Sequence, residues 1–241
     1  MVNRAANTNT AERTPNYLEN TAQRVPCMLV LDASGSMNES DPNSGRRRID
    51  LLNDGIKAFY EELQTDEIAL GRVQIAAVTA GGFADAARVV LNWTDGLDFI
   101  PFKLTAGNRT PLGAATLLAL DQIEQHKTAL RGNGIPFYRP WMFVMTDGAP
   151  TDNAQTWGRA CQTAREHEAC RKVQIYPVGV GQANMAKLGE LSATPAMQMS
   201  GMKFREFFKW VSDSMSTLAR SVPGGRIELP STNPWAAVRL D

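Results

Sequence analysis

Val25-Pro26-Cys27-Met28-Leu29-Val30-Leu31 runs directly into Asp32-Ala33-Ser34-Gly35-Ser36, an apolar run followed by a turn with a carboxylate and two hydroxyls at alternate positions. The run predicts a buried strand at about Cys27 to Leu31. Three readings of the turn are open. One carboxylate and two hydroxyls from a single short turn are hard oxygen donors of the kind Mg2+ or Mn2+ takes up. Ser, Gly and Asp are also ordinary residues of strand-to-helix loops. A catalytic serine needs a base, and the two histidines, His126 and His167, lie far from the turn in polar, helix-like stretches. No Gly-x-Ser-x-Gly elbow surrounds either serine.

Two later segments bear on the choice. Gly107-Asn108-Arg109-Thr110-Pro111-Leu112-Gly113 places a threonine hydroxyl just before a helix, with Pro111 suited to its start. Trp141-Met142-Phe143-Val144-Met145-Thr146-Asp147-Gly148 reads as a buried strand that ends in a carboxylate. Singly, Thr110 reads as a helix cap and Asp147 as a turn residue. With Asp32, Ser34 and Ser36 they make five oxygen-bearing side chains at the carboxyl ends of predicted parallel strands, the rim where open α/β sheets collect ligands.

The remaining chain alternates strands and helices. Ile49, Leu52, Ile56, Phe59 and Leu63 recur at helical spacing. Val73 to Thr79 and Ala87 to Leu91 read as an antiparallel edge pair joined by Gly81-Gly82. Leu112 to Leu130 and Asn153 to Glu168 read as helices, Val173 to Val180 as a strand and Ala196 to Met199 as a short last strand. Phe204, Phe207, Phe208, Val211, Met215 and Leu218 mark the final helix as core-facing. Gly179-Val180-Gly181 lacks the third glycine of a dinucleotide loop, since Asn184 stands there, and reads as a strand-to-loop turn. The pattern predicts an α/β fold, a doubly wound, mostly parallel sheet with one antiparallel edge.

At this point the chain resembles the von Willebrand factor A family, whose metal-ion-dependent adhesion site reads Asp-x-Ser-x-Ser, then Thr, then Asp. Asp32, Ser34, Ser36, Thr110 and Asp147 fill all five positions in that order. The resemblance runs from about Val25 to Pro223 and implies six strands in the order 3-2-1-4-5-6. Thr146-Asp147-Gly148-Ala149-Pro150-Thr151-Asp152 and Phe207-Phe208-Lys209-Trp210-Val211-Ser212 are similar to phrases of the tellurite-resistance-associated bacterial subgroup. Ala80 and Ala149 depart from that subgroup, and Met37 to Gly45 is longer and more polar than usual there. The division expected is a polar arm over 1–24, one domain over 25–223 and a tail over 224–241, the tail either a docking segment or disordered.

Composition sets outer limits. The chain has 241 residues, 43% of them hydrophobic, enough for one sizeable core. Its 25 basic side chains balance 25 acidic ones, which removes any general electrostatic reason to expect nucleic acid or an anionic membrane. Arg46-Arg47-Arg48 is the one sharp basic cluster, readable as a solvated helix start or as an attractor of acidic ligands. Cys27, Cys161 and Cys170 lack metal-ligand spacing and read as packed, reduced thiols. No signal pattern or stretch of about 20 apolar residues is present, so a cytoplasmic location is expected.

The resemblance implies a protein-interaction module in which Mg2+ or Mn2+ accepts an Asp or Glu from a partner. It also implies a bacterial stress-response or phage-defence setting, with an operon-encoded kinase or phosphatase as partner. Two alternatives stand beside it. A metal-dependent hydrolase would need a base, and beyond the five residues only Asp152 and Glu39 are at hand. A scaffold with an empty site would make its contacts through Trp235 and the tail. With no activated nucleophile evident, the chain is expected not to be an enzyme.

Overall fold

Every residue of β1 (Val25–Ala33) is buried, as a strand covered on both faces must be. The computed structural model describes residues 21–221, 228–233 and 235–237. β1 lies at the centre of the sheet, parallel to β2 (Val73–Gly81) on one side and to β4 (Trp141–Thr146) on the other. β3 (Ala87–Asp95) runs antiparallel outside β2, and β5 (Gln174–Gly179) and β6 (Met197–Met199) continue in parallel outside β4. The expected order 3-2-1-4-5-6 is present. A two-residue strand, β7 (Ala236–Ala237), extends it antiparallel to β6.

The period of two in β1 divides the core into layers. Cys27, Leu29 and Leu31 face α1 (Arg48–Leu63) and α6 (Phe204–Arg220), whereas Met28 and Val30 face α3 (Leu112–Gly132) and α4 (Ala154–Ala169). The five positions of α1 and the six of α6 singled out by their helical spacing are all buried. Each such side chain stabilises the fold by about 1.5–3 kcal/mol relative to exposure. Gly55 lets the two helices meet: a Cβ there would lie 2.8 Å from the Phe208 ring.

Two short helices, α2 (Glu67–Arg72) and α5 (Met185–Gly189), have no counterpart in the sequence reading. The Asp66 side chain caps the first and the Asn184 side chain the second. Asn184, the residue that breaks the dinucleotide pattern, is thus a helix cap. Gly181 takes a left-handed φ of 57°, as a turn leaving β5 requires.

The tail folds back on its own chain. Trp235 is fully buried against Phe207 and Trp210, with ring centroids 5.0 and 5.3 Å away. Trp210 Nε1 donates to the Pro230 carbonyl at 2.8 Å, and Ser200 N to the Trp235 carbonyl at 2.7 Å. Trp235 is therefore unavailable as a contact for another protein, which corrects the scaffold reading. The rest of the tail expectation, at 224–227, 234 and 238–241, lies outside the described residues, as does the arm over 1–20. Arg24, assigned to the arm, is fully buried, and its guanidinium reaches the Gly71 carbonyl at 3.2 Å.

The cysteines need a correction as well. All three are free; Cys27 is packed as expected, its thiol pushed up to about 12 by burial, and Cys161 packs against the core from its edge, so the correction concerns Cys170. Cys161 is half-buried and Cys170 is exposed. Among the described residues no helix is long and apolar enough to cross a membrane.

His126 anchors the end of the sheet where the parallel strands start. Its ring stacks on Trp93 at 4.1 Å and its Nε2 lies 2.7 Å from Gln74 Oε1. The Gln74 amide in turn donates to Asp95 Oδ1 at 2.8 Å, leaving its oxygen to accept from a neutral imidazole. Burial, then the charge of Arg24, lowers the His126 pKa from 6.5 to about 3. A depressed histidine gives stability that is complete above the unfolded pKa and is lost as pH falls below it. At pH 5 the loss amounts to about 2 kcal/mol. The raised pKa of Asp32 works the opposite way over this range and is common to the parent and His126→Gln, so the test is the difference between them. Between pH 7 and pH 5 the parent should lose about 2 kcal/mol more stability than His126→Gln in denaturant unfolding, and an equal change in both assigns the acid sensitivity elsewhere.

Candidate metal centre

The register of the sheet brings the distant ligand segments together. Leu31 of β1 pairs with Met145 of β4, so Asp32 and Asp147 both emerge just past the paired ends of adjacent central strands. Strand order reverses between these two strands, which opens the crevice above them. The third segment is tied in through its backbone. Gly35 N donates to the Asn108 carbonyl at 2.9 Å, Gly107 N to the Ala33 carbonyl at 2.9 Å and Gly82 N to the Gly107 carbonyl at 2.9 Å. Gly81, at φ 80°, is required there, because a Cβ would collide with the Arg109 carbonyl.

Four of the five side chains are linked directly. Ser36 Oγ donates to Asp147 Oδ1 at 2.6 Å and lies 3.1 Å from Ser34 Oγ. Ser34 N and Thr146 Oγ1 donate to the two oxygens of Asp32 at 2.8 and 2.5 Å. Thr110, 6% exposed, joins the same rim through its loop. Its amide donates to Thr151 Oγ1 at 3.0 Å, and its carbonyl accepts from Thr151 N at 2.9 Å. Pro111 precedes α3, and Asp152 accepts from Gly113 N and Ala114 N at the helix start.

Burial makes the site electrostatically demanding. Asp32 is 1% exposed, and burial, with a contribution from the charge of Asp147, pushes its pKa up to about 6 against the hydrogen bonds from Ser34 and Thr146. Two enclosed carboxylates side by side call for a cation. The donor set suits a small divalent one. The 3.1 Å between the serine oxygens matches the ~3 Å edge between neighbouring oxygens around octahedral Mg2+. A hydroxyl that gives its proton to a carboxylate, as Ser36 does, keeps lone pairs for a metal. Among the described residues no group of three or more His, Cys, Asp and Glu side chains is placed to hold a metal ion. The five residues are a different kind of set, with hydroxyls as three of the donors.

The sequence profile of the von Willebrand factor type A domain matches residues 27–217. The chain belongs to the von Willebrand factor type A domain family. Domains of this family generally serve in protein–protein interaction. Comparison with curated protein sequences finds no match. Solved structures similar to this von Willebrand factor A domain include proximal thread matrix protein 1 of the mussel byssus, at 15% identity and TM-score 0.53, over 80% of this chain and 48% of that one. The ArnB paralog VWA2 from Sulfolobus acidocaldarius is similar at 15% identity and TM-score 0.52, over 80% and 46%. The pilus adhesin SpaC from Lactobacillus rhamnosus GG is similar at 12% identity and TM-score 0.59, over 83% and 32%. At such identities the likeness is one of fold, and the chain spans about half the length or less of these structures.

Other candidate residues fall into structural roles in this von Willebrand factor A domain. Asp152 and Glu39, the two candidate bases, are engaged, Asp152 at the start of α3 and Glu39 with Arg48 Nη2 at 3.1 Å. His126 contacts Gln74, at the beginning of β2, which puts it at the opposite end of the sheet from Asp32. His167 Nδ1 sits 3.5 Å from Glu124, about 18 Å along α3 from its start. Neither histidine can serve Ser34 or Ser36. The arginine cluster is not merely solvated: Arg46 pairs with Asp54 at 2.7 Å, Arg47 with Asp50 at 2.8 Å and Arg48 with Asp147 at 2.8 Å. The sequence reading does not single out Thr146 and Thr151 as parts of the site, and it gives Arg48 as a solvated residue or an attractor of acidic ligands, not as a partner of Asp147. Thr146 and Thr151 did fall inside a phrase singled out for its resemblance, which was the available signal.

Proposed function

We propose that this chain is a metal-ion-dependent protein-interaction module in which Asp32, Ser34, Ser36, Thr110 and Asp147 hold Mg2+ or Mn2+. The observation that carries the reading is the linked set of two buried carboxylates and two serine hydroxyls at a strand-order reversal. The bound metal would supply an electropositive coordination position for an Asp or Glu of the partner. The chain's own residues fix the ligand orientations beforehand: Thr146 and the Ser34 amide hold Asp32, and Thr151 holds the loop of Thr110. Around the rim, Phe83 is 82% exposed and gives a partner an apolar anchor.

Engagement of Asp152 and Glu39 leaves a hydrolase without a free base, which supports a non-enzymatic role. The phrases Thr146 to Asp152 and Phe207 to Ser212 support the tellurite-resistance-associated subgroup, a bacterial stress-response or phage-defence setting and a kinase or phosphatase partner. Three free cysteines accord with the cytoplasm.

The test is partner capture. Thr110→Ala should weaken capture more than tenfold while the melting transition stays near that of the parent, since losing a buried charge contact costs about 2–5 kcal/mol. Chelator should release the partner, and one Asp or Glu on that partner should prove indispensable. Capture that ignores both chelator and Thr110→Ala refutes the reading.

A further inference from the structure

Arg48 is out of place by the ordinary electrostatics of helices. It is the first residue of α1, where the helix dipole disfavours a cation. The long polar segment ahead of it explains how it comes to be there. Asp41 N donates to the Arg46 carbonyl at 2.8 Å and Arg48 N to the Glu39 carbonyl at 3.0 Å, so the chain doubles back and sets Arg48 beside the ligand loop. Arg46 and Arg47 turn to carboxylates of α1 itself. Arg48 alone turns into the metal centre. Its Nη1 donates to Asp147 Oδ2 at 2.8 Å, its Nη2 lies 3.1 Å from Glu39 and its side chain is 13% exposed, while the Asp147 side chain is fully enclosed.

Each oxygen of Asp147 thereby accepts one hydrogen bond, Oδ1 from Ser36 and Oδ2 from Arg48. The two donors differ in what they allow. The Ser36 hydroxyl can keep its bond and still offer lone pairs to a cation, but a guanidinium has no lone pair and its charge opposes a second cation. We propose that Arg48 is a tethered counter-ion that competes with the divalent metal for Asp147, so that metal loading must displace its guanidinium toward Glu39 and the rim. The proposal rests on the metal-site reading above and adds that the chain lowers its own metal affinity.

A Mn2+ titration of the full chain, followed by calorimetry and by the paramagnetic signal of free Mn2+, tests it. Arg48→Gln should bind Mn2+ about tenfold or more tighter than the parent, with Arg48→Lys between them. At one fixed Mn2+ concentration the rise in melting temperature should be larger in Arg48→Gln than in the parent, a comparison that holds even where the variant is less stable without metal. Equal or weaker binding in Arg48→Gln overturns the competition, leaves the metal site standing and makes Arg48 a residue that only orients Asp147. Absence of binding in the parent and in Arg48→Gln alike overturns the metal-site reading and the competition with it.

Discussion

Asp32→Ala is expected to leave no Mg2+ or Mn2+ binding measurable by calorimetry, in a protein whose circular dichroism remains that of the folded parent. Asp32 is one of the two carboxylates among the five proposed ligands. Breaking a buried charge pair costs about 3–5 kcal/mol, which corresponds to a hundredfold or greater loss of affinity. The fold should survive because burial already works against the charge of Asp32, as its raised pKa records. Asp147→Ala should lose metal equally but melt lower than Asp32→Ala, since it strands the guanidinium of Arg48. Metal binding like the parent's in both variants would show the site assignment to be wrong. The same pair of proteins separates binding from catalysis: phosphoester or peptide hydrolysis that needs Mg2+ and vanishes in Asp32→Ala would favour the hydrolase.

Trp235→Ala should be the most destabilising single change in the tail. Removing a fully buried tryptophan costs about 3–5 kcal/mol, which lowers the melting temperature of a chain this long by roughly 10 °C. The side chain closes an aromatic stack with Phe207 and Trp210, so the cavity cannot be refilled by a small shift of one neighbour. A melting temperature unchanged by the substitution would mean that the tail does not stabilise the fold in solution.

What the sequence made legible follows from range. The unbroken apolar run Val25 to Leu31 and the helical spacing in Ile49 to Leu63 or Phe204 to Leu218 are local records of burial, and the layers follow them. The five candidate ligands were visible as a set because each stands at the end of a strong apolar strand or the start of a long helix. Short elements left no such record: α2 and α5 are too brief for a periodic signal and depend on single capping side chains. The pairing of Arg48 with Asp147 spans 99 positions and arises where a doubled-back segment meets a sheet rim, so no spacing announces it. Trp235 was visible only as an aromatic residue in a polar tail, and its burial depends on the Pro230 and Ser200 hydrogen bonds that turn the chain back.

The amides of Gly35, Gly82 and Gly107, each committed to a carbonyl of a neighbouring loop, have a kinetic consequence. Three loops stitched together in this way leave little slack to be taken up when a ligand arrives. Encounter with a partner should then proceed in one step, without a concentration-independent closing phase in stopped-flow traces. Its rate should follow ionic strength through the charges at the edge, Arg46 and Arg109 among them. Discrimination between partners falls to side chains that stand clear of the stitched loops, such as Phe83, where exchange of one residue can alter the choice of partner without disturbing the floor beneath it.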